Sequence, residues 1–196
     1  MGICGFGGFA INAAAIDTRI KATTAITMYD MTRVSAKGYN DSVNVDARYE
    51  MKQNLNKQRT EDFKNSNYKG ADGLPEKLTG NEPQFVQDYW GYYKTKRGFH
   101  SRSINSNGKW NMTSSLSLIN QPILQYSSEI RTPVLIVHGE NAHSRYFGET
   151  AFSKLKGNNK ELFIVKGANH VDLYDGGDKN AIPFDKIESF YKENLK

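Results

Sequence analysis

Few side chains in this chain of 196 residues can do covalent chemistry. There is one cysteine, Cys4, inside the opening "MGICGFGGFAINAAA", and there are four histidines. A thiol among glycines, just ahead of a run of small apolar residues, fits a nucleophile elbow headed by Gly2-Ile3-Cys4-Gly5. An elbow nucleophile sits on a sharp strand-to-helix turn, where small neighbours are needed because the backbone bends and the two elements pass closely. The N-terminus of the following helix lowers the thiol pKa and favours negative charge beside it. The amide of Gly5, the next residue, would supply one donor of an oxyanion hole. The pattern departs at one place: the second residue after Cys4 is Phe6, with glycines at 7 and 8.

A competing reading of the same stretch is a dinucleotide fingerprint. "GFGGFA" (5–10) fits G-x-G-x-x-[GA], and Asp30 follows at about the distance of a ribose-binding acid. Only "MGIC" is available as the first strand, however, and no further strand–helix–strand units follow Asp30. No cofactor is expected.

An elbow nucleophile needs a histidine beyond the last strand, in the chain order nucleophile, acid, histidine. His170, in "VKGANHVDLYD", has that place and is the candidate general base. The acid is open between two carboxylates: Glu140, directly after Gly139, and Asp30 as the alternative. Either would orient His170 and stabilise its imidazolium. His138 and His143 flank Glu140, but a strand histidine and a loop histidine without a cysteine partner are a poor zinc signature, so no metal is expected. His143, Ser144 and Arg145 follow a strand's C-terminal end, where pocket residues gather.

The elements that must position these residues read as α/β. Small apolar residues from Gly5 to Ile16 form a tightly packed helix ended by Asp17 to Arg19. Strands are expected at "IKATTAITMYD" (20–30), "TPVLIVHGE" (132–140) and "KELFIVKGANH" (160–170). "SRYFGETAFSKLKG" suits a helix between the last two strands. The closing "IPFDKIESFYKENL" aligns Phe184, Ile187, Phe190 and Tyr191 on one helical face. Helices alternating with strands predict a parallel sheet covered by helices.

One long interruption, residues 31–131, breaks that order. It opens with the polar helix candidate "DARYEMKQNLNKQRTEDFK", whose Ala47, Met51, Leu55 and Phe63 form a thin apolar stripe. Further on, "DYWGYYKTKRGFH" interleaves aromatics with Lys94, Lys96 and Arg97, a composition suited to stacking single-stranded nucleic acid. The sequence outlines no basic groove, and the expectation is a helix that packs Phe85, Tyr89, Trp90 and Tyr93. The net charge of +5 is dispersed among acids, as in "NKQRTEDFK", so neither nucleic acid nor membrane is an expected partner. No stretch approaches the length of a membrane span.

In "GICGFGGFAINAAAIDTRIKA", "TPVLIVHGENAHSRYF" and "IVKGANHVDLYD" the chain resembles the α/β-hydrolase superfamily. The likeness is to its dienelactone-hydrolase-like and bacterial esterase- or peptidase-like members with cysteine at the elbow. The resemblance implies a hydrolase core over 1–30 and 132–196, with 31–131 as a helical cap insertion. It also implies action on an ester, lactone or related acyl bond of a small molecule by Cys4, His170 and an acid, with Phe6, Arg145 and Trp90 as pocket candidates. The superfamily usually places its acid about three residues after the strand-end glycine, which here is Ala142. Its sheet also has strands ahead of the elbow, and one of their loops gives the second oxyanion amide. The chain is therefore expected to be the C-terminal part of a longer hydrolase, cytoplasmic by its lone cysteine, with weak turnover by itself. The rival expectation is a non-catalytic remnant or interaction module on a hydrolase-derived fold.

Overall fold

The computed structural model of the chain describes residues 1–195 and contains a four-stranded parallel sheet. The opening strand β1 is short, Gly2–Ile3, and turns at Cys4 into helix α1, Gly5–Ile16. Asp17 ends α1 in an extended conformation, its N–H still bonded to the carbonyl of Ala13. Strand β2, Thr23–Ile26, pairs with β1 through Gly2↔Ala25 and Ile3↔Ile26. Helices α2 (Met31–Lys37), α3 (Val45–Asn65), α4 (Gln84–Tyr93), α5 (Ile104–Asn107) and α6 (Ser115–Ile119) follow. Strand β3, Val134–Gly139, then pairs with β2, and helix α7, Arg145–Lys154, leads to β4, Lys160–Val165. The short α8, Asp172–Asp175, and the terminal α9, Phe184–Asn194, complete the order. The sheet runs β1-β2-β3-β4, and all three pairings are parallel, as the alternation of helices and strands predicts.

β3 is buried along its whole length, which is why its sequence is a continuous apolar run rather than an alternating one. Its two faces serve different helices. Leu135 and Val137 join Ile26, Ala168, Leu173 and the α9 residues Ile187 and Phe190 in one core. Ile136 and His138 point the other way, toward Gly148 of α7. A Cβ at Gly148 would lie 2.3 Å from Cδ2 of His138, so the glycine is what lets α7 seat over an imidazole.

The chain separates into two compact units, one of residues 1–31 with Ile123 onward, the other Thr32–Pro122. The segment from Ile123 to Arg131 thus groups with the sheet. In the second unit, α3 starts from Asn44, whose side chain accepts from the N–H of Ala47, and stops at Ser66 in the left-handed conformation. The apolar stripe expected along α3 is incomplete: Leu55 is buried, but Phe63 is 87% exposed. Its neighbour Asp62 is buried instead and accepts from Gln58 Nε2 and the N–H of Lys69, so a carboxylate ties the helix end to the following loop. On α4 the rings of Tyr89 and Tyr93 stack at 6.2 Å, and Phe85 meets Tyr39 at 5.2 Å.

Gly148→Ala should lower the unfolding free energy by about 1–3 kcal/mol, because neither His138 nor the backbone can give the missing space. A drop in the urea midpoint with unchanged slope checks it, and a wild-type midpoint would contradict the close approach.

Candidate active site

The site is built where the C-terminal ends of the parallel strands meet. Cys4, between β1 and α1, has φ 55° and ψ −126°, a conformation that a residue with a side chain rarely adopts. Three hydrogen bonds hold it there. Its N–H donates to the carbonyl of Ile26 at 3.0 Å, and its own carbonyl accepts from Gly7 at 2.9 Å and Tyr29 at 2.8 Å. The neighbouring glycines are dictated by space. A Cβ at Gly2 would come within 2.1 Å of the Phe6 carbonyl oxygen, one at Gly7 within 2.7 Å of Met28 Cβ, and one at Gly8 within 2.7 Å of the Tyr29 carbonyl oxygen. The departure from the elbow pattern at Phe6 is thereby accounted for. Phe6 points outward, 76% exposed, and the close passage falls on Gly7 and Gly8. Gly5 is the first residue of α1, so its N–H has no partner within the helix by geometry.

One strand further in, Thr27 also has positive φ, 42°, which for a β-branched residue is a marked departure. Its N–H donates to the carbonyl of Val137 at 2.7 Å, and its hydroxyl lies 3.0 Å from Nδ1 of His170. Ser144, just before α7, places its Oγ 2.5 Å from the same nitrogen. Nε2 of His170 lies 2.9 Å from the phenol oxygen of Tyr174. Cys4 and His170 are thus both fastened to the segment Thr27–Tyr29, and the Tyr29 ring stands edge-on to the imidazole at 6.0 Å.

Glu140 reaches elsewhere: its carboxylate accepts from the N–H of Gly167 at 2.8 Å, on an exposed corner, and so fixes the turn after β4. Asp30 is buried immediately ahead of α2. Arg145 opens α7 and pairs with Glu149 at 2.8 Å, while its guanidinium also donates to the Glu140 carbonyl. Trp90 lies half-buried on α4, in the second unit. Ser144 was legible as a strand-end residue, whereas Thr27 and Tyr174 were not recognised from sequence. The available signals were the strand-end position of Thr27 and the four-residue spacing from His170 to Tyr174.

Three histidines share this region in neutral form. Burial pushes His138 down to about 4, against the opposing effect of its bond to Met28, and burial also pushes His143 down to about 4. Burial, then the neighbouring His143 and His138, hold His170 well below its ordinary value. His138 Nε2 lies 3.2 Å from the Met28 carbonyl, which can only accept, so this nitrogen carries the proton and Nδ1 is bare. Among the described residues no group of three or more His, Cys, Asp or Glu side chains could hold a metal ion. Among the same residues no helix is long and apolar enough to cross a membrane.

No protein-family model matches the chain. It is 50% identical over 196 residues to the uncharacterized protein PA2218 of Pseudomonas aeruginosa, spanning all of this chain and 52% of that protein. It is 28% identical to the uncharacterized protein YcjY of Escherichia coli, covering 63% of it. The chain therefore spans between about half and two-thirds of these relatives. The crystal structure of PA2218 superimposes with a TM-score of 0.92 over 99% of this chain and 60% of that one. The α/β hydrolase GrgF from Penicillium superimposes with a TM-score of 0.72 at 17% identity, over all of this chain and 63% of that one. The sheet and its helices are thus a partial α/β-hydrolase fold.

The depressed histidines make stability depend on pH. Below pH 6.5 the unfolded chain binds protons that folded His138 and His143 refuse until about 4. Stability should fall as pH drops through that window, by up to about 2 kcal/mol for each histidine at pH 5. Ordinary carboxylates titrate lower, so the loss between pH 6.5 and about 5 reports the imidazoles. Urea midpoints across that range check it, and a flat profile would contradict neutral imidazoles at His138 and His143.

Proposed function

We propose that this chain carries the nucleophile and base of a hydrolase acting on an ester, lactone or related acyl bond of a small molecule. The observation that supports it most is the backbone of Cys4. A left-handed residue costs about 1–3 kcal/mol and persists where surroundings over-determine it, most often at functional sites. Here the strain lifts a thiol to the N-terminus of a twelve-residue helix, where the dipole favours a thiolate.

In this reading the sulfur of Cys4 attacks the carbonyl carbon, and the thiol proton passes to His170. The carbonyl oxygen gathers negative charge beside the N–H of Gly5. The tetrahedral centre collapses to a thioester, the leaving oxygen takes the proton back from His170, and water, deprotonated by the same base, releases the acid. The hydroxyls of Ser144 and Thr27 hold Nδ1 where a carboxylate is usual. A thiol is acidic enough for this weaker support to suffice, since its proton leaves more easily than that of serine. Glu140 supports this arrangement by fixing the turn that leads to His170, and Asp30 remains the alternative acid. Phe6 and Arg145 remain the candidate contacts for substrate within the sheet unit.

A second reading, a non-catalytic remnant of such a hydrolase, is favoured by the orientation of Glu140 toward Gly167. Acylation separates the two. With p-nitrophenyl acetate, Cys4 should be acetylated at least about 10²-fold faster than a simple thiol at the same pH, the scale of general-base assistance. Mass spectrometry should place the acetyl group on Cys4, and Cys4→Ala should remove the burst. Acetylation at the rate of glutathione would sink the catalytic reading. Cys4→Gly should abolish the burst and raise stability by about 1 kcal/mol, since glycine accepts positive φ without strain.

A further inference from the structure

The peptide between Met28 and Tyr29 takes part in two hydrogen bonds, one at each end of its plane. Its carbonyl oxygen accepts from Nε2 of His138 at 3.2 Å, and its N–H donates to the carbonyl of Cys4 at 2.8 Å. A trans peptide is one rigid plane, so whatever fixes its oxygen also aims its N–H. An imidazole near the end of β3 is thereby joined, through a single plane, to the backbone of the strained residue. The surroundings press on both partners of the first bond. Met28 is fully buried, and a Cβ at Gly7 of α1 would lie 2.7 Å from its Cβ and 3.0 Å from its Cα. His138 is fully buried too, and a Cβ at Gly148 of α7 would lie 2.9 Å from Nε2 itself. The other ring nitrogen, Nδ1, is buried with no hydrogen-bond partner among the described residues. An imidazole with one nitrogen unsatisfied weakens a core, and an apolar side chain of similar size would avoid that cost. What the imidazole adds at this position is its one N–H.

We infer that His138 is a positioning residue for Cys4: by holding the Met28 carbonyl it aims the Tyr29 N–H at the Cys4 carbonyl and so keeps the thiol-bearing turn in place. The inference rests on the reading of Cys4 as a nucleophile assisted by His170. No proton is transferred in this role, because His138 donates the same N–H throughout. Burial, which pushes this imidazole down to about 4, keeps it a neutral single donor at and above neutral pH. Without that donor the peptide plane is free to tilt. The Cys4 carbonyl then loses one of the two N–H groups that hold it, and the thiol leaves the helix N-terminus that favours its anion. Thr27, the residue before Met28, carries the hydroxyl on Nδ1 of His170, so the same tilt loosens the base as well.

Alkylation of Cys4 by iodoacetamide, followed from pH 6 to 9, tests it on the chain as it stands. His138→Leu fills the space and removes the donor. It should slow alkylation at pH 7 by about tenfold and move the apparent thiol pKa up by about one unit. A merely loosened fold would expose the thiol and speed the reaction, which is the opposite sign. His138→Gln brings an amide N–H to the same carbonyl and should recover most of the wild-type profile. His170→Ala reports on the underlying reading and should itself be slow. A wild-type profile for His138→Leu beside a slow His170→Ala would overturn the positioning role and leave the Cys4–His170 reading intact. A His138→Gln profile no better than that of His138→Leu would overturn the role equally. A wild-type profile for His170→Ala would overturn that reading and this inference together. Should His138→Leu fail to fold, Gly148→Ala crowds the ring from α7 while keeping its N–H. An upward shift of the thiol pKa in that variant supports the role, and an unshifted profile removes it.

Discussion

A left-handed backbone at a residue with a side chain survives only where its surroundings leave no alternative. At Cys4 the surroundings are specific. The N–H is claimed by Ile26 and the carbonyl by both Gly7 and Tyr29, so the peptide units on either side of the residue are fixed. That turn sets the direction of α1, and the direction of α1 forces glycine at 2, 7 and 8, where any Cβ would strike backbone or Met28. The glycine-rich opening is therefore a record of close approach.

The segment Thr27–Tyr29 is the common support. It bonds Cys4 through the Tyr29 N–H and His170 through the Thr27 hydroxyl. It is pinned in turn by the N–H of His138, which donates to the Met28 carbonyl from the middle of the sheet. Three uncharged imidazoles are thus kept in places that penalise their charged forms. Buried polarity of this kind weakens a core and is tolerated where position matters more than stability. Gly148 belongs to the same account, since its missing side chain is the space that His138 fills.

The sheet and most helices were legible because their signals are local. Apolar runs closed by glycine mark β3 and β4, and the small-residue run after Cys4 marks α1. Strand ends were read too long, 20–30 against Thr23–Ile26, because β-branched residues continue past the last paired one. The stripe on α3 failed at Phe63, where Asp62 is buried instead, its Oδ1 accepting from Gln58 and Lys69. Periodicity cannot foresee such a substitution. The surroundings of His170 were hidden for a different reason. Which atom meets Nδ1 depends on how three strand ends, far apart in sequence, are brought level by the register of the sheet. Tyr174 was hidden because nothing in a single tyrosine marks it until the imidazole is placed.

The insertion also shapes how the molecule must assemble. β1 and β2 are joined by one helix, as are β3 and β4, so each half of the sheet is a local unit that closes a short loop. The pairing of β2 with β3 is different, because roughly a hundred residues must be gathered in before Thr23 can meet Val134. Entropy places that contact late on the folding route, and parallel pairing across such a separation is slow. Until it forms, Thr27 has no Val137 carbonyl to hold it and no His170 to meet. Docking of the two halves of the sheet is thus the event that brings His170 to the segment Thr27–Tyr29, which already holds Cys4.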